Sequence, residues 1–194
     1  MRQRTVYVQP WRIDVTVRDG VDPVARIAGL CRAVARALDA AGAPTPASIG
    51  LILSDDAELA ELNATHMSAE GPTDVLSFPL LPAQAFPAHE GGPERPEADP
   101  AAPPESASAS ASAAFVPPPG RLHLGDIVVS VERALEQAAA GRGGQTGDVR
   151  WSAADELSLL ATHGTLHICG WDHAEPTEET AMRTLESRLL TQSR

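Results

Sequence analysis

Residues 163–173 read HGTLHICGWDH, and this stretch places two histidines before Gly170 and a third shortly after it. On a helix, His163 and His167 are four positions apart and project from one face, so their ring nitrogens can meet at one point. Gly170 adopts a positive φ at low cost, which allows the helix to end and the chain to bring His173 back toward that point. Three neutral imidazoles leave the fourth tetrahedral position of a zinc ion open, as in catalytic rather than structural sites. The stretch therefore predicts a metalloenzyme with these three histidines as ligands and with His163, as one of them, the candidate catalytic residue.

The spacing of the histidines matches that of metzincin proteases, in which a glutamate follows the first histidine and acts as general base. Here that position is Gly164. Without this carboxylate, peptide hydrolysis lacks its proton acceptor. A peptidase or another metallohydrolase is therefore the least favoured of the hypotheses for the function of this protein.

Two neighbouring residues have roles that the sequence leaves open. Cys169 lies two positions past His167, about 200° around the helix, which favours a buried thiol over a fourth metal ligand. Asp172 either braces an imidazole or caps the helix that Pro176 helps to start.

Hydrophobic periodicity predicts four strands and five helices along the chain. We expect the strands at 11–17, 47–53, 73–80 and 125–131. We expect a first helix opened by Asp22 and Pro23, with an apolar stripe at Val24, Ile27, Cys31, Val34 and Leu38. We expect four further helices: from Ser54 or Asp55 to Leu62, from the fourth strand to Ala140, from Ser152 or Ala153 onward, and over 175–190.

The helix that carries His163 and His167 has a recognisable start. Ser152 and Asp155 have the spacing of a capping box, with Asp in place of the usual Glu. The two histidines should face a cleft, while the leucines of the same helix face the core, namely Leu157, Leu160 and Leu166. A neighbouring strand should border the cleft with Thr73, Asp74 and Ser77, although strand ends and turns favour the same residue types.

Together, these elements predict an α+β fold in a single domain over residues 1–194, with one mixed sheet of roughly four strands and helices packed on it. Residues 82–119 are rich in Pro, Ala and Glu and include a Ser-Ala repeat. Because such a segment buries too little apolar surface to order itself, we expect a disordered insertion there. The glycine-rich residues 141–147 lack the Lys-Ser/Thr ending of a phosphate-binding loop, so we expect a connector.

Composition limits how the protein can meet its partners. The formal net charge is −11, which argues against broad, non-specific affinity for RNA because phosphate binding needs clustered cations. Any RNA contact must be local: through the metal, through arginines such as Arg121, Arg142 and Arg150, or through a partner that delivers the substrate.

The two cysteines do not suggest a disulfide framework, which favours a reducing compartment. No apolar run approaches the roughly 20 residues of a membrane span, and the Arg-bearing start of the chain is not followed by a hydrophobic signal core. We expect a cytoplasmic protein that does not bind membranes.

Four sequence blocks resemble the YbeY family of endoribonucleases, in the family's order. They are Leu62-Asn63, Pro72-Thr73-Asp74-Val75-Leu76-Ser77-Phe78-Pro79, Leu124-Gly125-Asp126-Ile127 and the histidine stretch at 163–173. The resemblance extends from about Ser48 to the C-terminal helix, with the segment between Leu81 and Gly120 unmatched.

The resemblance implies a zincin-like metal helix and one Zn²⁺ per chain, held by the three histidines. It implies a metal-dependent, single-strand-specific endoribonuclease that acts in ribosomal RNA maturation, at the 3′ end of 16S rRNA, and in ribosome quality control. The implied partners are ribosomal RNA, the small ribosomal subunit, and a ribosomal protein or assembly GTPase.

One position departs from the resemblance. Many family members carry an arginine five residues after the leucine of Leu62-Asn63, where this chain has Met67. A guanidinium can hold a phosphate, and a thioether cannot. The alternative function is therefore a ribosome-assembly binding factor with a structural zinc and little nuclease activity.

Overall fold

The computed structural model describes residues 1–89, 92, 121–141 and 151–191. Within these residues, the strands are Arg2–Val8 (β1), Trp11–Val17 (β2), Ala47–Ser54 (β3), Val75–Pro79 (β4) and Leu122–Ser130 (β5). The α-helices are Ile27–Ala40 (α1), Asp56–Leu62 (α2), Val131–Ala139 (α3), Ala153–Ile168 (α4) and Pro176–Thr191 (α5). A π-helical turn at Asn63–Met67 continues α2, and a 3₁₀ turn at Ala83–Ala85 follows β4.

The strands form one mixed sheet in the order β1-β2-β3-β5-β4. The central pairs, β2 with β3 and β3 with β5, are parallel, while β1 and β4 lie antiparallel at the two edges. The expected α+β architecture is confirmed, with five strands in the sheet rather than about four.

Burial along the strands places the main core on one face of the sheet. In β2, the buried positions alternate with half-buried ones, as expected for a strand with one covered face. β3 is buried along nearly its whole length, because it lies at the centre of the sheet with parallel neighbours on both sides. Helices α1 and α4 cover the core face, and Leu59 of α2 packs on the opposite face against Leu76 and Val128.

Three predicted boundaries were wrong, and the first is that of the strand expected over 73–80, which spans Val75–Pro79. Helix α1 begins at Ile27 rather than near Asp22, because Arg26 has extended backbone and Val24 is exposed instead of joining the apolar stripe. The strand expected over 125–131 runs over Leu122–Ser130. It starts earlier because its first residues pair with β3 across a bulge. It ends at Ser130 because this residue caps α3, accepting a hydrogen bond from the backbone N–H of Arg133 at 3.1 Å.

Gly125 lies at this bulge with φ +147°, a conformation that favours glycine. An added Cβ there would also lie 2.8 Å from Cδ1 of Ile168, in the last turn of α4. The glycine of the Leu-Gly-Asp-Ile block therefore allows β5 to lie close to the helix that carries two of the histidines.

The segment expected to be a disordered insertion begins with packed residues. Residues 82–89 are described, and Phe86 is only 1% exposed within the main core, because its ring gives this part of the segment an apolar group to bury. The remaining residues of the prediction, 90–91 and 93–119, lie outside the described residues. Residues 142–147 of the glycine-rich connector do as well.

In the part of the chain that the structure describes, no helix combines the length and apolar character needed to cross a bilayer.

Candidate metal centre

Helix α4 starts where the capping-box pattern predicts. Ser152 Oγ accepts a hydrogen bond from the backbone N–H of Asp155 at 3.2 Å, and the Asp155 carboxylate accepts one from the backbone N–H of Ser152 at 2.9 Å. Two of the free N–H groups at the helix start are therefore satisfied. The capping box fixes the first residue of α4, the helix that contains His163 and His167.

The two sides of α4 are divided as predicted. The side facing the sheet is buried and includes Leu157, Leu160 and Leu166. His163 and His167 are half-buried on the other side, where both border one cavity and His163 also borders a second.

Gly170 ends the helix with φ +82°. Its backbone N–H donates to the carbonyl of His167, and that of Trp171 donates to the carbonyl of Leu166, both at 3.0 Å. This is the hydrogen-bond pattern of a Schellman motif, which needs a left-handed residue after the helix. The turn brings His173 back beside the two helical histidines.

The three histidines of the sequence stretch lie together. Nε2 of His163 is 3.0 Å from Nε2 of His167, and the His173 ring lies 5.5 Å from the first ring and 5.0 Å from the second, centroid to centroid. One ring nitrogen from each histidine lies within 4.8 Å of the others. Three imidazoles at this separation can hold one metal ion.

The electrostatics of the cluster suit metal binding. Burial, together with the nearby His163 and His173, lowers the pKa of His167 to about 4, while Asp172 opposes this shift. A histidine with this pKa is neutral at physiological pH, and the neutral imidazole is the form that binds metals. The donor set therefore fits a metal ion.

A carboxylate that the sequence did not reveal contacts the cluster. Glu186 of α5 places Oε1 2.6 Å from Nδ1 of His163, and its side chain is only 5% exposed. The sequence predicted α5, but nothing in a periodic pattern shows which residue of one helix meets a residue of another.

The two open roles near the stretch are now defined. The side chain of Asp172 accepts a hydrogen bond from the backbone N–H of His173 at 2.8 Å, before α5 begins at Pro176, so this bond orders the link after α4 and neither braces an imidazole nor caps α5. The carboxylate bonded to a ring nitrogen of the cluster is that of Glu186. Cys169 is a buried free thiol, as favoured from the sequence. Burial raises its pKa to about 12, which opposes the thiolate form that metals bind.

Two cavities meet at the histidine cluster. A cleft of about 540 Å³ has Thr73, Asp74 and Ser77 along one side and the three histidines along the other. The expectation that these residues border the cleft is confirmed, although Thr73 and Asp74 precede β4 and only Ser77 lies in it. A second cavity, of about 300 Å³, shares Asp74, Val75, His163 and His173 with the cleft and continues toward α3 and α5.

Met67 lies in the wall of the cleft and is 48% exposed. It ends the π-helical turn, and the next residue, Ser68, has a left-handed backbone with φ 54°. Among the described residues that line the cleft there is no arginine, so the wall offers a thioether where many members of the resembled family carry a phosphate-binding cation.

Of the arginines suggested for RNA binding, Arg121 is the one that the structure describes, and it does not line this cleft. Arg121 donates hydrogen bonds to the carbonyls of Pro10 and Ala47 at 3.0 and 2.9 Å, and its guanidinium lies 6.0 Å from the Tyr7 ring centroid. Arg121 therefore links the turn between β1 and β2 to the first residue of β3. Arg142 and Arg150 lie outside the described residues.

A family model described as Endoribonuclease YbeY matches residues 18–194. A Salinispora tropica protein named endoribonuclease YbeY is 42% identical over 160 residues, which cover 81% of this chain and 82% of that protein. The Mycolicibacterium paratuberculosis protein of the same name is 36% identical over 179 residues, covering 92% of this chain and 81% of the relative.

A third protein of that name, from Mycobacterium tuberculosis, is 40% identical over 144 residues, which cover 74% of this chain but 63% of the mycobacterial protein. Among solved structures, the solution structure of TM1509 from Thermotoga maritima is similar with a TM-score of 0.48 and 18% identity. That similarity covers 94% of this chain and 88% of the other.

Proposed function

Since this chain belongs to the YbeY family of endoribonucleases, we propose that it is a metal-dependent endoribonuclease that cleaves single-stranded ribosomal RNA. The observation that carries the proposal is the convergence of three histidine ring nitrogens, within 4.8 Å of one another, beside an open cleft.

His163, His167 and His173 would hold one ion per chain. Zn²⁺ suits the site best, because it accepts neutral imidazole ligands and keeps an open position in catalytic sites. When bound, such an ion supplies Lewis-acid polarisation of a phosphodiester and lowers the pKa of water toward ~7. His163 contributes to catalysis in this way, as a ligand.

The shape of the cleft supports a single-stranded substrate. A space of about 540 Å³ has room for a nucleotide or two of an unpaired strand. Splayed single strands can place one phosphate at the site and leave their bases free to contact the walls.

The charge distribution supports a substrate delivered by a partner. In the second cavity, Arg183 is paired with Glu179 at 2.6 Å, so it adds little free positive charge near the histidines. With a net charge of −11, the protein binds free RNA weakly, so a component that brings RNA to the cleft would speed cleavage. We propose the small ribosomal subunit as that component, with a ribosomal protein or assembly GTPase as a contact.

In this proposal, the protein acts in the cytoplasm on the 3′ end of 16S rRNA and in ribosome quality control. The test is cleavage of a single-stranded RNA and of the matching duplex by highly purified protein. The wild type should cleave the single strand in the presence of zinc, and the double variant His163→Ala, His167→Ala should not.

The control variant is His123→Ala, which removes an imidazole whose Nδ1 lies 3.1 Å from Ser48 Oγ on β3, away from the cleft. It should cleave like the wild type. Equal cleavage by the double variant would show that the activity does not come from the histidine cluster.

A second function is favoured by the exposed Met67 in the cleft wall, where a cation would have held phosphate. The protein would then be a ribosome-assembly binding factor with a structural zinc and little nuclease activity. Zinc binding and association with the small subunit without RNA cleavage would support this function, whereas cleavage that vanishes in the double variant would exclude it.

A further inference from the structure

Glu186 is a buried carboxylate in direct contact with the histidine cluster. It lies in the second half of α5, and its side chain is 5% exposed. Removing a charged group from water costs free energy unless the charge is compensated by a partner. The partner seen in the structure is Nδ1 of His163, at 2.6 Å.

The contact decides which nitrogen of His163 faces the other histidines. A carboxylate accepts hydrogen bonds, so Nδ1 carries the hydrogen that lies between the two groups. In the neutral ring, which is the form that binds a metal, Nε2 is then left with its lone pair, and it is this nitrogen that lies 3.0 Å from Nε2 of His167. The ring is therefore held in the tautomer and orientation that binding through Nε2 requires.

Other carboxylates near the two cavities have different partners. Asp172 accepts from the backbone N–H of His173, Glu156 from the indole N–H of Trp151, and Glu179 from Arg183. Among the described residues, Glu186 is the carboxylate that contacts a ring nitrogen of the cluster.

We propose that Glu186 is the positioning residue of the metal centre: by binding Nδ1 of His163, it fixes that ligand for the metal and makes the packing of α5 part of the site. The inference rests on the proposed metal site but not on nuclease activity. Carboxylates bonded to the free nitrogen of a histidine ligand orient the ring, and their loss typically weakens metal binding 10- to 100-fold.

The test is the Zn²⁺ dissociation constant of metal-stripped, full-length protein, measured by competition with a chelating indicator. Glu186→Gln keeps the size of the side chain and an acceptor oxygen but removes the charge, and Glu186→Leu removes both. We expect zinc to bind roughly 10-fold more weakly to the first and up to about 100-fold more weakly to the second. The visible spectrum of the Co²⁺-loaded protein should change with them.

Glu178→Gln is the matched control, because Glu178 is also a buried acid of α5 but does not line either of the two cavities at the histidines. Its zinc affinity and cobalt spectrum should equal those of the wild type. Far-UV circular dichroism of each metal-free variant shows whether it has folded, and if the leucine variant has not, the glutamine variant decides.

Wild-type affinity and an unchanged cobalt spectrum in folded Glu186→Gln would overturn the proposal, as would an equal loss in Glu178→Gln. If the wild type binds zinc but does not cleave RNA, the proposed nuclease function fails while the comparison of affinities still decides the role of Glu186. A wild type that binds no zinc would overturn both.

Discussion

Ser77 Oγ donates a hydrogen bond to the backbone carbonyl of Gly164 at 3.0 Å. The contact joins edge strand β4 to helix α4 at the residue that follows His163. It is possible because α4 lies close to the sheet here, where an added Cβ on Gly164 would lie 2.7 Å from Ile127 Cγ2 and 3.1 Å from both Ser77 Oγ and Val75 Cγ2.

This close approach explains why residue 164 is a glycine instead of the glutamate of metzincins: a larger side chain there would push the helix away from the sheet. We expect Gly164→Ala to lower the free energy of unfolding by about 1–2 kcal/mol, because overpacking at this contact outweighs the gain of ~1 kcal/mol in helix propensity. Zinc affinity should fall as well, since the shift displaces His163 and His167. Urea denaturation and zinc titration measure the two effects.

Gly29→Ala is the control for this prediction. Gly29 lies in α1, and an added Cβ there would meet nothing within 4 Å. The variant should gain up to ~1 kcal/mol from helix propensity and keep its zinc affinity. If the two glycine variants gain stability equally, the close packing of α4 at residue 164 does not limit the side chain there.

The ion pair between Arg18 and Glu58 predicts a pH dependence of stability. Arg18 Nε donates to Glu58 Oε2 at 2.7 Å, and Nη2 contacts Oε1, which ties the end of β2 to α2. The Arg18 hydrogen bond lowers the pKa of Glu58, burial opposes it, and a hydrogen bond from Ser54 lowers it further.

Because the folded pKa of Glu58 is lower than the unfolded pKa, its contribution to stability is present above the unfolded value, roughly 4.3, and is lost as the pH falls through the folded value. We expect Glu58→Gln to lower the free energy of unfolding by up to about 1 kcal/mol at pH 7, an amount limited by the partial exposure of both groups to solvent. The difference from the wild type should disappear in acid, as measured by urea denaturation across the pH range. A constant difference at all pH values would contradict the pKa shift, and Glu136→Gln, at a 66% exposed carboxylate, should change little.

Much of the fold follows from local patterns, and what was missed depends on contacts between distant residues. Strand β2 and the start of α4 were predicted because each has a signal within a few consecutive residues: the alternation of apolar and polar residues in β2 and the capping box at the start of α4. Strand β1 was missed because an exposed edge strand carries polar residues on both faces, so RQRTVYV has no apolar alternation to detect.

The same division applies to the metal centre. The spacing of three histidines around Gly170 predicts their meeting, since a helix and its terminating turn are local. The contact of Glu186 with His163 depends on how α5 packs against α4, and no local pattern encodes that packing.

Replacing the methionine of the cleft wall tests how RNA would meet the site. Met67→Arg adds a cation beside the histidines, so we expect tighter binding of single-stranded RNA. The affinity should also depend more steeply on salt concentration, as expected for about one additional phosphate contact. Fluorescence anisotropy of a labelled oligonucleotide at several salt concentrations measures both.

Leu80→Arg adds the same charge at a 62% exposed position that does not line the cleft. Its effect on RNA binding should be smaller. Equal gains from the two substitutions would mean that general charge, rather than the cleft, determines the affinity.

The most direct test of a metal-dependent nuclease is a zinc titration of the metal-stripped protein with cleavage of single-stranded RNA as the readout. We expect cleavage to rise with bound zinc and to level off at a single equivalent, while His167→Ala shows no zinc-dependent cleavage at any concentration. Full cleavage by metal-free protein, or equal cleavage by His167→Ala, would contradict the role proposed for the three histidines.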